Sequence, residues 1–338
     1  MALLEFTERG IHCPAAGVFI DPWRPVDKAL ITHGHADHSR WGMKHYVSTH
    51  AAKPVIQHRL GDVDIMGVDY GEELRINGVT FSFHPAGHLI GSAQIRVEHK
   101  GEVWVASGDY KTQSDGVSED FEPVPCHTFI TECTFGLPVF RWSPQAQVMD
   151  DIAQWWKRNQ EAGVTSVLVA YSLGKAQRVI QNLPEEIGPI FTHGAVENIN
   201  EVLRAQGIPI RDTIRVTRSL DKEATKGGLV IGPNSIIGSP WLRRFTPFEI
   251  GMVSGWMSIR GSRRRRAMDR GFVLSDHADW DGLLGAIEAT KCERVITTHG
   301  YTDIFAQYLR EQGLDAITEK TEFEGELLDP NDRTEAEE

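Results

Sequence analysis

The chain has 338 residues, 41% of them hydrophobic, with a formal net charge of -12 at pH 7. That length suffices for a large core and for two lobes, no stretch is long and apolar enough to span a bilayer, and the acidic balance excludes a uniformly basic nucleic-acid coat while leaving room for a local groove. Cys13, Cys126, Cys133 and Cys292 form no Cys-x-x-Cys pair, which argues against a disulfide framework or a zinc ribbon and leaves them as small buried apolar residues. The opening Met1 to Gly10 meets a carboxylate too early for a signal peptide, so a cytoplasmic protein without membrane association is expected.

Taken in order, residues 17 to 110 read as short strands separated by turns. Gly17 to Ile20 runs into Asp21 and Pro22, and Lys28 to Thr32 runs into His33-Gly34-His35-Ala36-Asp37-His38. A meander follows: Glu73 to Ile76, a turn at Asn77-Gly78, Val79 to His84, then Ala93 to Val97, a turn at Lys100-Gly101, and Val103 to Ala106. Such a series predicts a sheet packed in a sandwich.

From about residue 140 strands alternate with helices, which predicts a parallel α/β unit. Ser143 is read as an N-cap with Pro144 at the first helical position, followed by Val148, Ile152 and Trp155 on one face. Val164 to Ala170 is an apolar strand, Ser172 to Arg178 opens a helix, Ala195 to Gln206 is a second helix, and Gly228 to Gly232 is a strand. Asp279 to Thr290 reads as helix, Arg294 to Thr297 as strand and Tyr301 to Gln312 as helix, like the pieces of the first lobe. The expected division is 1–136 for the first part of one domain, 137–259 for an inserted domain and 260–325 for the return. An acidic tail, 326–338, is expected to fray, its run of carboxylates beginning near Glu322. Arg260, Arg263, Arg264, Arg265 and Arg266 concentrate positive charge; such a run is a solvated face unless a phosphodiester-cutting centre lies beside it.

The chemistry is densest at residues 33 to 38. Side chains alternate in an extended segment, so His33 and His35 point to one side and can grip one cation, while Asp37 and His38, where the chain turns toward a helix, aim at a second point. A two-metal site needs further ligands, and other apolar strands end in suitable groups: His88 after Phe83, Asp109 after Ala106 and His299 after Thr297. At the Ser172-Leu173-Gly174-Lys175 turn, a helix N-terminus with a glycine and a lysine is either an ordinary strand-to-helix turn or an anion site for a non-scissile phosphate.

The His-x-His-x-Asp-His string resembles the signature of the metallo-β-lactamase superfamily. Thr131-Glu132-Cys133-Thr134-Phe135-Gly136 and Leu274-Ser275-Asp276-His277-Ala278-Asp279 resemble its β-CASP nuclease group, and the resemblance extends from Asp21 to about Gly300. It implies an αββα sandwich with an inserted α/β domain and two divalent cations, zinc first and manganese second. It implies that His33, His35 and His88 hold one cation, that Asp37, His38 and His299 hold the other, that Asp109 bridges them, and that Asp21 supports a ligand from behind. Asp37, Glu132 and His277 are the implied catalytic residues: Glu132 would orient His277 to protonate the leaving oxygen while a metal-activated hydroxide attacks phosphorus. Ser172, Gly174, Lys175, Arg260, Arg263, Arg264, Arg265 and Arg266 would hold nucleic-acid phosphates.

Histidine at position 299 is similar to RNA-processing members, whereas the Artemis-like DNA group usually has an apolar residue there. The overall motif set most resembles bacterial ligase-associated DNA exonucleases. The expectation is therefore a DNA exonuclease acting in repair beside a DNA ligase, with an RNA 3′-end processing nuclease as the alternative. A small-molecule ester hydrolase and a metal-free binding module are the disfavoured readings.

Overall fold

The computed structural model describes residues 2–259 and 268–323. Of these, 2–114, 118–141 and 276–323 form one compact unit, and 115–117, 142–259 and 268–275 form a second.

The first unit holds two sheets. One runs β1 (Glu5–Thr7), β2 (Gly10–Cys13), β3 (Val18–Ile20), β4 (Lys28–Leu30), β5 (His45–Thr49) and β6 (Ile65–Val68), antiparallel over its first three strands and parallel from β3 onward. The other contains β7 (Leu74–Ile76), β8 (Val79–Pro85), β9 (Ala93–His99), β10 (Glu102–Ala106), β11 (Thr128–Cys133), β18 (Arg294–Gly300) and β19 (Asp315–Thr318), in the order β19-β18-β11-β10-β9-β8-β7. Two of its hairpins, β7–β8 and β9–β10, turn in two residues, with Asn77 at φ 50° and Gly78 at φ 83°, and Lys100 at φ 52° and Gly101 at φ 84°. Paired positive φ values match the twist of the flanking strands, as the Asn-Gly and Lys-Gly dipeptides predict.

Alternation along each strand makes the layers. Leu30, Phe83, Ile95, Ala106, Ile130 and Ile296 face a core shared by the two sheets. Their neighbours Val105, Phe129 and Val295 face the other way, onto α6 (Trp280–Thr290) and α7 (Thr302–Glu311). Ala29, Ile31 and Tyr46 likewise pack with Ile56 of α1 (Lys53–Leu60) on the outer side of the first sheet. The first unit is thus an αββα sandwich, as the sequence predicts.

The second unit is a six-stranded parallel sheet in the order β14-β13-β15-β12-β16-β17, from β12 (Thr165–Val169), β13 (Ile190–Thr192), β14 (Ile214–Arg215), β15 (Leu229–Gly232), β16 (Phe248–Val253) and β17 (Arg270–Phe272). Every residue of β12 is buried, the pattern of a parallel strand covered on both faces. Among the described residues its α-helices are α2 (Gln145–Glu161), α3 (Lys175–Asn182), α4 (Gly194–Ala205) and the short α5 (Pro240–Arg243).

Three local readings change. Pro144 is the residue before the helix, at φ -52° and ψ 136°, and α2 begins at Gln145; the fixed proline φ suits the entry, but the extended ψ keeps Pro144 out of the first turn. Asp37 and His38 do not lead into a helix: Ser39 N–H donates to the His35 carbonyl at 2.9 Å in an isolated turn, and the next helix is α1. The chain also stays with the second unit to Ser275 rather than leaving near residue 260, because β17 adds to the edge of its sheet beside β16. The expected phosphate-binding arginines Arg260, Arg263, Arg264, Arg265 and Arg266 lie outside the described residues, as does the tail from residue 324 onward. Among the described residues no helix is long and apolar enough to cross a membrane.

Candidate active site

All nine side chains of the expected metal and acid–base set, from His33 to His299, belong to the first unit: Glu132 and His299 lie near the ends of β11 and β18, His277 just before α6, and the others on loops that follow strands of the two sheets. After β4, the loop at 31–40 is held by Asp21, whose own backbone sits at φ 41°. One Asp21 oxygen accepts the Thr32 N–H at 2.8 Å; the other accepts the Thr32 hydroxyl at 2.5 Å and faces His38 Nδ1 at 2.7 Å. The Thr32 oxygen, its proton committed to Asp21, lies 3.0 Å from His33 Nδ1.

These contacts assign tautomers through the hydrogen-bond network. His33 donates Nδ1–H to Thr32 and His38 donates Nδ1–H to Asp21, leaving both Nε2 lone pairs bare; both Nε2 atoms are buried and make no hydrogen bond among the described residues. His88 donates Nδ1–H to the Asp276 carbonyl at 2.7 Å, and its Nε2 faces His35 Nδ1 at 3.1 Å. Imidazoles anchored through one nitrogen with the other aimed at a common point are the usual supports of a metal ligand set.

The point of convergence lies beside Asp109. One nitrogen each of His33, His35 and His88 and one Asp109 oxygen all lie within 4.8 Å of one another. Asp109 Oδ2 is 3.7 Å from His33 Nε2, 3.9 Å from His88 Nε2 and 3.5 Å from His38 Nε2, so this carboxylate borders two clusters. In the second cluster, His38 Nε2 is 3.8 Å from Asp37 Oδ2, and His299 lines the same cavity as His38 and Asp109. His299 ends β18 at φ 51°, where the pairing with β11 shifts register. Orphaned buried lone pairs facing carboxylates, in an all-imidazole and carboxylate donor set, fit divalent cations of the zinc class.

The electrostatics agree. Burial, reinforced by His38 and His88, pushes the His33 pKa well below the ordinary imidazole value, and burial with His277 does the same to His88. Burial also disfavours the charged form of His38, but Asp109 and Asp37 outweigh it and hold that pKa well above normal. For Asp109, burial would raise the pKa, yet His38 and His277 hold it well below the carboxylate range; Asp37 is lowered against its own burial mainly by His38. The Asp37 and Asp109 carboxylates thus stay anionic and His33 and His88 neutral, the states that bind a cation, while the same carboxylates favour a proton on His38 that a bound cation would have to displace.

Beside this centre, His277 Nδ1 faces both oxygens of Glu132, at 2.8 and 3.0 Å. Glu132 accepts the Tyr110 N–H at 2.9 Å, the Thr134 N–H at 3.3 Å and the Thr134 hydroxyl, so it cannot swing away. The ring of His277 lies 4.8 Å from that of His88, centre to centre, and Asp109, Glu132 and His277 form a second close group. Asp279, not His277, caps α6, accepting the Gly282 N–H at 2.8 Å.

In the second unit, Gly174 precedes α3 at φ 96° and donates its N–H to Gln177 Oε1 at 2.8 Å. Ser172 and Lys175 are buried, with the Lys175 ammonium 5.6 Å from the Tyr171 ring centre. The remaining expected phosphate contacts, Arg260, Arg263, Arg264, Arg265 and Arg266, are outside the described residues. Sequence reasoning missed Thr32 as the partner of His33 and Asp276 as the carbonyl partner of His88. It also missed Phe323, whose ring stacks on His38 at 4.1 Å with planes 12° apart. Glu322, read as the start of a frayed tail, is instead bound to Arg24 through both oxygens, at 2.5 and 2.7 Å. A carboxylate in an acidic run gives no local hint that two arginines lie far upstream.

No family model matches the sequence. Over 313 residues it is 33% identical to a protein of Opitutus terrae named "Probable DNA ligase", covering 91% of this chain and 30% of that protein. It is 24% identical over 213 residues to an RNase J-like protein of Methanocaldococcus jannaschii, covering 51% of this chain and 48% of that one. Against the endoribonuclease YSH1 of Mycosarcoma maydis it is 25% identical over an alignment of 392 residues, covering 87% of this chain and 44% of that one. The chain therefore spans less than half the length of each of these relatives. Among solved structures, a protein of unknown function from Enterococcus faecalis shares the fold with a TM-score of 0.57 at 10% identity, over 82% of this chain and 76% of that one.

Proposed function

The chain belongs to the metallo-β-lactamase superfamily, in its β-CASP group, and on that premise we propose that it is a metal-dependent phosphodiesterase that degrades DNA from an end. The observation that carries this reading is the convergence of the Nε2 atoms of His33, His38 and His88 on Asp109, the first two without a hydrogen-bond partner among the described residues, with the Glu132–His277 pair alongside.

His33, His35 and His88 would hold one divalent cation, Asp37, His38 and His299 a second, with Asp109 shared between them and Asp21 fixing His38 from behind. Zinc suits this donor set best, and manganese is accepted by similar ones. Such cations, when bound, supply Lewis acidity toward a phosphodiester and acidify a water. The protein's own work is placement and proton transfer. Glu132 holds His277 by Nδ1, so that Nε2 presents a proton toward the oxygen that leaves phosphorus. Ser172, Gly174 and Lys175, with Arg260, Arg263, Arg264, Arg265 and Arg266, are the proposed phosphate contacts along the strand.

The DNA ligase name of the Opitutus relative supports DNA as substrate and a place beside a ligase in cytoplasmic DNA repair. A second reading, an RNA 3′-end processing nuclease, draws on the ribonuclease names of the other relatives and on His299. Digestion of matched single- and double-stranded DNA and RNA, labelled at either end, decides between them. The proposal expects a ladder shortening from one DNA end that depends on added Zn²⁺ or Mn²⁺ and vanishes in His33→Ala. Faster cutting of the matching RNA would replace it with the second reading.

A further inference from the structure

The C-terminal segment that follows β19 does more than end the chain. Glu319 N–H donates to the Thr297 carbonyl at 3.0 Å, continuing the pairing of β19 with β18, the strand that carries His299. The chain then crosses to the opposite sheet. Glu322 grips Arg24 through both carboxylate oxygens, while Arg40, two residues past His38, donates to the Glu322 carbonyl at 2.5 Å. Arg40 also donates Nε–H to the Asp37 carbonyl at 3.2 Å, so the segment is tied to the ligand loop itself.

These ties set down the next residue, Phe323, on the imidazole of His38. The ring centres are 4.1 Å apart and nearly parallel, the Trp23 ring meets Phe323 edge-on at 5.7 Å, and His299 lies 6.4 Å away. Phe323 lines the same cavity as His38, Asp109 and His299. His38 is thus restrained in its plane by the bond from Nδ1 to Asp21 and on its face by an aromatic ring, with Nε2 left bare.

We propose that Phe323, anchored by Glu322 on Arg24 and Arg40, is a positioning residue for the second cation: it seats His38 and walls the cavity shared with His299. The inference rests on the metal-centre reading above. It gives this segment, lying immediately before a run of carboxylates, a role in loading the site. Removing the ring frees His38 to tilt and admits water beside Nε2, and both weaken the second ligand set without touching His33, His35 or His88.

The test is competition between the full-length protein and a metal chelator, with Zn²⁺ as the probe, for wild type, Phe323→Ala, Phe323→Leu and Phe323→Tyr. Wild type is expected to bind two cations. Phe323→Ala should keep the first and lose about 10- to 100-fold affinity for the second, the loss typical when a support of a metal ligand is removed. Phe323→Tyr, which keeps the flat ring, should restore the second affinity, whereas Phe323→Leu should not, and thermal unfolding identifies any variant that has failed to fold. Nucleic-acid cleavage by Phe323→Ala should fall in kcat, recover with excess Zn²⁺ and keep its KM. Two unchanged affinities in a folded Phe323→Ala protein, or a gain in activity, would overturn the inference while leaving the metal centre intact. A wild-type protein that binds no divalent cation would overturn both.

Discussion

Glu132 and His277, 145 positions apart in the chain, meet through both carboxylate oxygens at Nδ1, at 2.8 and 3.0 Å. A carboxylate pinned by Tyr110 and Thr134 fixes the imidazole and leaves only Nε2 for chemistry. His277→Ala should lower the cleavage rate by about 10²- to 10⁴-fold, the usual worth of a positioned general acid. Glu132→Gln should cost about 10- to 100-fold, since the amide keeps the shape but loses the charge. Cation content should match wild type in both variants; loss of metal in either would assign the pair to the ligand set instead.

Asp21 answers to a different readout. It orders Thr32 and His38 together, and through Thr32 it sets the tautomer of His33. Asp21→Asn exchanges an acceptor for a donor at one of these contacts and should weaken cation binding by about 10- to 100-fold. Equilibrium dialysis measures it, and an unchanged affinity would show that the loop holds its shape without this carboxylate.

Gly108 lies between Ser107 and Asp109 at φ 57°, and a β-carbon there would stand 2.7 Å from the Thr32 side chain. Gly108→Ala should therefore strain the turn, with a loss of about 1–3 kcal/mol in unfolding free energy, and displace Asp109 or Thr32. Denaturant unfolding with parallel metal analysis checks both. A variant as stable as wild type would mean that the Thr32 side chain can yield.

The second unit carries its own pH sensor of stability. The imidazole of His193 accepts the Ala195 N–H at the start of α4, and burial, with Arg215 nearby, lowers its pKa to about 4 from 6.5. Above the unfolded value both states are neutral and the contribution is complete; as pH falls below about 6.5 the unfolded chain takes the proton first, and stability drops until about pH 4. The loss is on the order of 3 kcal/mol. His193→Asn keeps a capping acceptor and should flatten the profile between these limits in urea unfolding at stepped pH. An equally steep profile in the variant would place the titration elsewhere.

The sandwich was legible because its signals are local. Alternation, two-residue turns and apolar strand ends require only neighbouring residues, and Asn77-Gly78 and Lys100-Gly101 turn where those rules place them. The same locality brought out His33, His35, His88 and Asp109, each the polar residue after an apolar run, and these lie together. What escaped was tertiary. The Asp276 carbonyl meets His88 across 188 positions, and Glu322 meets Arg24 across 298. Neither contact leaves a mark on its own neighbourhood. The misreading of Asp37 and His38 as a helix entry has a related cause: a ligand loop held from outside by Asp21 and Arg59 needs no regular structure of its own.

Crystals grown with Zn²⁺ and measured at the zinc absorption edge would report on the proposed pair of cations within the first unit. Two anomalous peaks per chain are expected, one among His33, His35, His88 and Asp109 and one among Asp37, His38, His299 and Asp109. A map with no peak among these residues, from protein that still cleaves nucleic acid in the presence of a chelator, would contradict the pair.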